Sequence, residues 1–139
     1  MYTIIAGCRQ VSALGYPKRP LLYTEIQWIL DQIDGFHQKN PITEVVSGRA
    51  TGVDRVGEIW ASHRGIPIKF FPAEWSKHGK AAGPIRNRQM GEYANNLLAF
   101  WDKISTGTKN MIETMKELEK PYEVVSLTYN FTPEKKDDM

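Results

Sequence analysis

Glycine and positive charge recur together in this chain, each time just after an apolar run. Tyr2–Ala6 leads into Gly7, Cys8 and Arg9, and Thr43–Ser47 ends in SGRATGVD (47–54). Ile66–Phe71 precedes EWSKHGKAAGPIRNRQM (74–90), and Leu97–Trp101 precedes DKISTGTKNM (102–111). The chemistry such residues can do is anion binding, with phosphate the obvious anion. Glycine lets backbone N–H groups approach a ligand closely, and a helix N-terminus adds unpaired donors at the positive end of its dipole. Gly48, Thr51 and Gly52 fall at one such terminus, Gly107 and Thr108 at a second, and Arg86 and Asn87 near a third. Arg9 or Arg49 can clamp phosphate oxygens with a bidentate guanidinium.

Other residues have two readings each. Asp54, in the first turn of a helix, is either a structural N-terminal acid or a group that holds a ribose hydroxyl or positions a ligand. Trp75 either stacks on a base or pins its loop. Cys8 reads as a small buried residue, with its strand-end position leaving reactivity open. His78 has no carboxylate–histidine cluster beside it, so no metal is expected, and no cofactor is expected. Two familiar phosphate motifs are excluded. HGKAAG imitates the end of a Walker A loop, but Glu74 stands where the leading glycine belongs and Ala81 where Ser or Thr would meet magnesium. No G-x-G-x-x-G follows the first apolar run, so an ordinary kinase or dehydrogenase is not expected.

The elements that must carry these loops follow from the apolar pattern. Strands are expected at Tyr2–Ala6, Thr43–Ser47, Ile66–Phe71 (Pro67 marking a strand start or sheet edge), Leu97–Trp101 and Tyr122–Leu127. Leu22, Ile26, Ile29, Leu30 and Ile33 recur at helical spacing with Gly35 as the expected stop. A second helix is expected from about Gly52 to Arg64, broken by Gly65. The glycines and proline of 74–90 argue against a helix in its first half, with one starting at Pro84 and ending at Tyr93 or Ala94. A turn and helix follow Trp101. Strands alternating with helices, and nearly continuous apolar strand cores, point to an α/β fold. The expectation is a single Rossmann-like domain, 1–127, with a mostly parallel five-stranded sheet and helices on both faces, followed by a polar tail at 128–139.

Totals set limits. The chain has 139 residues and a net charge of +2, so basic character must be local. Between Glu74 and Glu92 lie Lys77, Lys80, Arg86, Arg88 and His78 with no acid. One cysteine excludes an internal disulfide, and no apolar run approaches the ~18 residues of a membrane span. The expectation is a cytoplasmic protein with no membrane partner.

The loops together resemble a known family. AGCR after the first strand is similar to a G-S-R signature, and VSGRATGVDRVGEIWASHRGIPIKFFPAEWSKHGKAAGPIRNRQM resembles the central block of YspA/YpsA-related members of the SLOG superfamily, HGKAAGPIRNRQM being the most specific part. That superfamily also contains the DNA-processing protein Smf/DprA and the LOG enzymes, and the resemblance runs from about Tyr2 to Leu127. It implies a pocket for a nucleotide or nucleotide-derived small molecule at the strand ends, formed by Gly7, Arg9, the Gly48–Asp54 loop, Arg86, Asn87, Gly107 and Thr108. It also implies assembly as a homo-oligomer, with the apolar face near Trp60 as a suitable contact.

LOG enzymes hydrolyse nucleotide N-glycosidic bonds with P-G-G-x-G-T-x-x-E. The matching residues here are KISTGTKNM: Gly107 and Thr108 are kept, Ile104 and Ser105 replace the paired glycines, and Met111 replaces the glutamate. Methionine cannot transfer a proton. The expected function is therefore nucleotide binding, as a sensor or carrier-type protein. The alternative is a LOG-like phosphoribohydrolase using Asp54, Glu74 or Glu113, and a third reading, less favoured, is single-stranded nucleic-acid binding.

Overall fold

Alternating burial along the strands decides the architecture. In the first strand, β1 (Tyr2–Gly7), Ile5 joins one apolar cluster while Ile4 and Ala6 join another. The same split separates Val45 from Val46 in β2 (Glu44–Ser47), and Leu98 and Phe100 from Leu97 and Ala99 in β4 (Asn96–Trp101). A period of two that is apolar on both sides demands cover on both sheet faces. Helices α1 (Tyr23–Lys39) and α2 (Val53–Arg64) supply one cover through Ile29, Ile33, Phe36, Val56 and Trp60. Helices α4 (Ala82–Tyr93) and α5 (Thr106–Glu117) supply the other through Met90, Met111, Ile112 and Met115.

The computed structural model describes residues 1–10 and 19–127. The polar tail expected at 128–139 lies outside them. With β3 (Ile68–Phe70) and β5 (Tyr122–Ser126), the sheet has the order β3-β2-β1-β4-β5, and every pairing is parallel. The chain winds from β1 to one edge, then returns to β4 and winds to the other. The α/β, Rossmann-like expectation is met, with the sheet wholly parallel. The winding reverses between β1 and β4, and in open α/β sheets ligands bind above such a switch point.

Two elements differ from their sequence-based expectations. Gly35 does not stop α1. The apolar stripe continues to buried Phe36, and the helix closes at Asn40, whose N–H donates to the Phe36 carbonyl at 2.8 Å. A Cβ on Gly35 would meet nothing within 4 Å, so the glycine is a tolerated surface residue. The segment after β3 is also more helical than expected. A short turn, α3 (Trp75–His78), passes through a 3₁₀ turn at Gly79–Ala81 into α4, which starts at Ala82 rather than Pro84. Pro84 fits as the third helical residue, because first-turn N–H groups need no intrahelical acceptor.

Trp60 is buried, and its indole donates to Asp34 Oδ1 at 2.8 Å, tying α2 to α1. Trp60 itself is therefore interior, while Ile59 beside it is exposed. Among the described residues no helix is long and apolar enough to cross a membrane.

The C-terminus of α4 is closed by a lysine from a distant loop. Lys120 Nζ donates to the carbonyls of Gly91, Glu92 and Ala94 at 2.9, 3.0 and 2.8 Å. A cation here meets both the unpaired carbonyls and the negative end of the helix dipole. Lys120→Met should cost about 1–2 kcal/mol. In a urea titration the midpoint should fall with the m-value unchanged, while an unmoved midpoint would show that water replaces the ammonium.

Candidate functional site

The ends of β1 and β4 are held close by small residues. A Cβ on Gly7 would lie 2.5 Å from the Phe100 carbonyl oxygen and 2.8 Å from Val53, so only glycine fits between β4 and α2. The next carbonyl, that of Cys8, accepts the Val53 N–H at 3.2 Å and docks the start of α2 against the β1 loop. Gly52 makes this approach possible: its φ is +78°, and a Cβ there would lie 2.4 Å from the Cys8 carbonyl oxygen. The Cys8 thiol is buried and its pKa is pushed up to about 12, first by burial and then by the negative charge of Asp102, which keeps it in the protonated form.

Asp102 organises the opposite side. Buried directly after β4, its Oδ1 accepts the N–H groups of Ile104 (2.9 Å) and Ser105 (2.7 Å), and its Oδ2 accepts the Ser105 hydroxyl at 3.0 Å. The Trp101 indole donates to the Ser105 carbonyl at 3.1 Å. These bonds fix where α5 begins. Lys109 N–H to Ser105 carbonyl is the first i→i+4 bond of that end, which leaves the N–H groups of Thr106, Gly107 and Thr108 without an intrahelical acceptor.

Helix α4 brings the cation. Arg86 Nη1 donates to the Gly48 carbonyl and Nε donates to Asn87 Oδ1 at 3.1 Å. Buried Asn87 turns its Nδ2 the other way, to the Gly107 carbonyl (3.2 Å) and Asn110 Oδ1 (2.9 Å). Among the described residues Arg86 forms no ion pair. Burial lowers its pKa, Asp54 opposes that shift, and Arg9 adds to it. Asp54 is also buried, with Oδ2 accepting the Ala50 N–H at 3.2 Å. Burial pushes its carboxyl up to about 6 against the pull of the Ala50 N–H and of Arg86.

Between these groups lies a cleft of about 910 Å³. Gly7, Arg9, Asp54, Arg86, Asn87, Gly107 and Thr108 all line it, as do Trp75, Lys80, Asn110 and Met111. Asp54 is the sole carboxylate among the described lining residues. In sequence, the model of the YspA, cpYpsA-related SLOG family matches residues 20–78. The match covers less than half of the 139 residues and makes this stretch similar to that family. Comparison with curated proteins and with solved structures gives no match.

The SLOG match covers α1 through α3 and is narrower than the resemblance over 2–127. Within it, Ala50, Asp54 and Trp75 reach the cleft; Gly7, Arg9 and the residues of α4 and α5 lie outside it. Other residues singled out in the SLOG loop do not line the cleft. Gly48 makes room for Arg86, since a Cβ would lie 2.3 Å from Nη1. Gly52 makes room for the β1 loop, and Thr51 is exposed. Arg49, at φ +62°, lies over Phe70 with Cζ 4.6 Å from the ring centroid, and its Nε is 3.8 Å from Glu58. Of the three candidate acids only Asp54 faces the cleft; Glu74 and Glu113 are exposed outside its lining.

The roles of Asp102 and Asn110 were not read from the sequence. An Asp three residues before Ser at a helix start is a recognisable turn pattern for Asp102. Asn110 carries no such signal, because its partner Asn87 is 23 residues away.

Proposed function

We propose that this cleft binds a nucleotide or nucleotide-derived small molecule, with its phosphate between the start of α5 and Arg86, and that the protein works as a sensor or carrier. The observation that carries this is the meeting, above the β1/β4 switch point, of the unpaired N–H groups of Thr106–Thr108 with the cations Arg9, Lys80 and Arg86 around a single carboxylate. The similarity of residues 20–78 to the SLOG family model is compatible with nucleotide-related binding. A homo-oligomer in the cytoplasm is part of the same proposal.

Calorimetry against nucleoside mono- and diphosphates, NAD derivatives and cyclic nucleotides tests it. At least one should bind with micromolar or better affinity, and folded protein that binds none would end the proposal. One observation favours a second reading, N-glycosidic hydrolysis. Asp54, with its carboxyl near 6, is poised as an acid–base group where Met111 offers none. Chromatography of the same mixtures after incubation separates the two: free base appears only if a hydrolase is at work.

A further inference from the structure

Trp75 is half exposed, at 50%, and belongs to neither apolar cluster. It stands at the start of α3 on the rim of the cleft, with its ring edge over Gly83, where a Cβ would lie 3.5 Å from Cη2. The Arg9 guanidinium lies above the ring, Cζ 5.8 Å from its centroid. The fold does not use this indole as core, and the indole lends the cleft a flat apolar surface near the proposed phosphate end.

We propose that Trp75 is the platform for the nucleobase, and that a base binds there by taking the place of Arg9. This rests on the phosphate reading above and adds the feature that separates a nucleotide from a sugar phosphate. Stacked atoms lie about 3.5–4 Å apart, so a base held between indole and guanidinium needs a gap of roughly 7 Å. The 5.8 Å separation is too narrow for that. A base that stacks on the indole therefore frees Arg9 from its cation–π contact, and the freed guanidinium can turn to the phosphate. Inorganic phosphate or a sugar phosphate has no ring to displace Arg9 and meets Arg86, Lys80 and the start of α5 with Arg9 still over the indole. Every base has a π-face, so the site selects for the presence of a base more strongly than for its identity.

The test is calorimetry with AMP, GMP, CMP and UMP beside ribose 5-phosphate, on wild type, Trp75→Ala, Trp75→Phe and Arg86→Ala. In wild type at least one monophosphate should bind roughly 10- to 100-fold tighter than ribose 5-phosphate. In Trp75→Ala that ratio should fall to within about threefold, and Trp75→Phe should restore most of it, as expected for stacking. Arg86→Ala should weaken all probes together. Circular dichroism shows whether each variant is folded, and the exposure of Trp75 makes its removal mild. A ratio that survives in folded Trp75→Ala overturns the base platform while leaving the phosphate site standing. Loss of the ratio in Trp75→Phe as well as Trp75→Ala overturns stacking as its cause. An unchanged Arg86→Ala overturns the phosphate reading instead, and wild-type protein that binds none of the probes overturns both.

Discussion

Arg86→Ala should lower affinity for nucleoside monophosphates about 100-fold or more while leaving the fold in place. Charge-assisted bidentate bonds to phosphate are worth about 1.5–3 kcal/mol each in a partly desolvated site, and two of them exceed two decades in Kd. The side chain forms no ion pair among the described residues, although Asp54 is near enough to act on it electrostatically, and its position is fixed by the Gly48 carbonyl and Asn87. Loss of stability should stay near 1 kcal/mol, because the freed Gly48 carbonyl can take water from the cleft. Gly48→Ala is the companion variant. Its Cβ would sit 2.3 Å from Nη1, so it moves the guanidinium without removing its charge, and affinity should fall in proportion to that displacement. Calorimetry reads both. Affinity equal to wild type in Arg86→Ala would mean that the positive charge of residues 74–90 serves something other than the cleft.

The second large effect is a gain. Asp54→Asn should raise stability at pH 8 by about 1–3 kcal/mol, or roughly 5–10 °C in Tm. The Asp54 carboxyl is raised from its ordinary 3.8 to about 6, so the folded protein holds its proton more tightly than the unfolded chain does. Stability from this group is therefore complete below about pH 4 and is lost as pH rises towards 6. Above 6 a constant penalty of about 3 kcal/mol remains for keeping a buried charge. Asparagine avoids that penalty and can still accept the Ala50 N–H. Thermal melts between pH 4 and 8 should show the advantage of Asp54→Asn flat above pH 6–7 and shrinking below it. Equal Tm at pH 8 would show that Arg86 fully offsets the burial. The same variant should abolish any base release if hydrolysis occurs.

What was legible in the sequence follows from what glycine, proline and apolar period can encode. The strands were readable because Ile4, Ile5, Val45, Val46, Leu97 and Leu98 are apolar without interruption, which a parallel sheet covered on both faces requires. The end of α2 was readable because Gly65 takes φ +67°, a conformation few other residues adopt. Gly35 looked the same in the sequence but sits on an open helix face, where its identity decides nothing. The β2–α2 loop shows the deeper limit. Gly48 and Gly52 are needed because something comes very close, and sequence alone does not say whether that is a ligand, an arginine or another loop. Here Arg86 and the Cys8 carbonyl come close. Asn110 was invisible for a different reason: its meaning depends on a partner that only the packing of α4 on α5 brings near.

Arg86 and Asn87 are adjacent, yet one reaches the loop after β2 and the other the start of α5. With Asp102 holding the turn before α5 and Gly52 seating α2 on the β1 loop, the backbone at these two sides of the cleft is fixed by contacts of the fold itself. The conformational entropy of ordering those loops is thus lost during folding and not again on association. A small anion should therefore meet a finished cradle, and its capture rate should be governed by diffusion and by the local field rather than by closure of a loop.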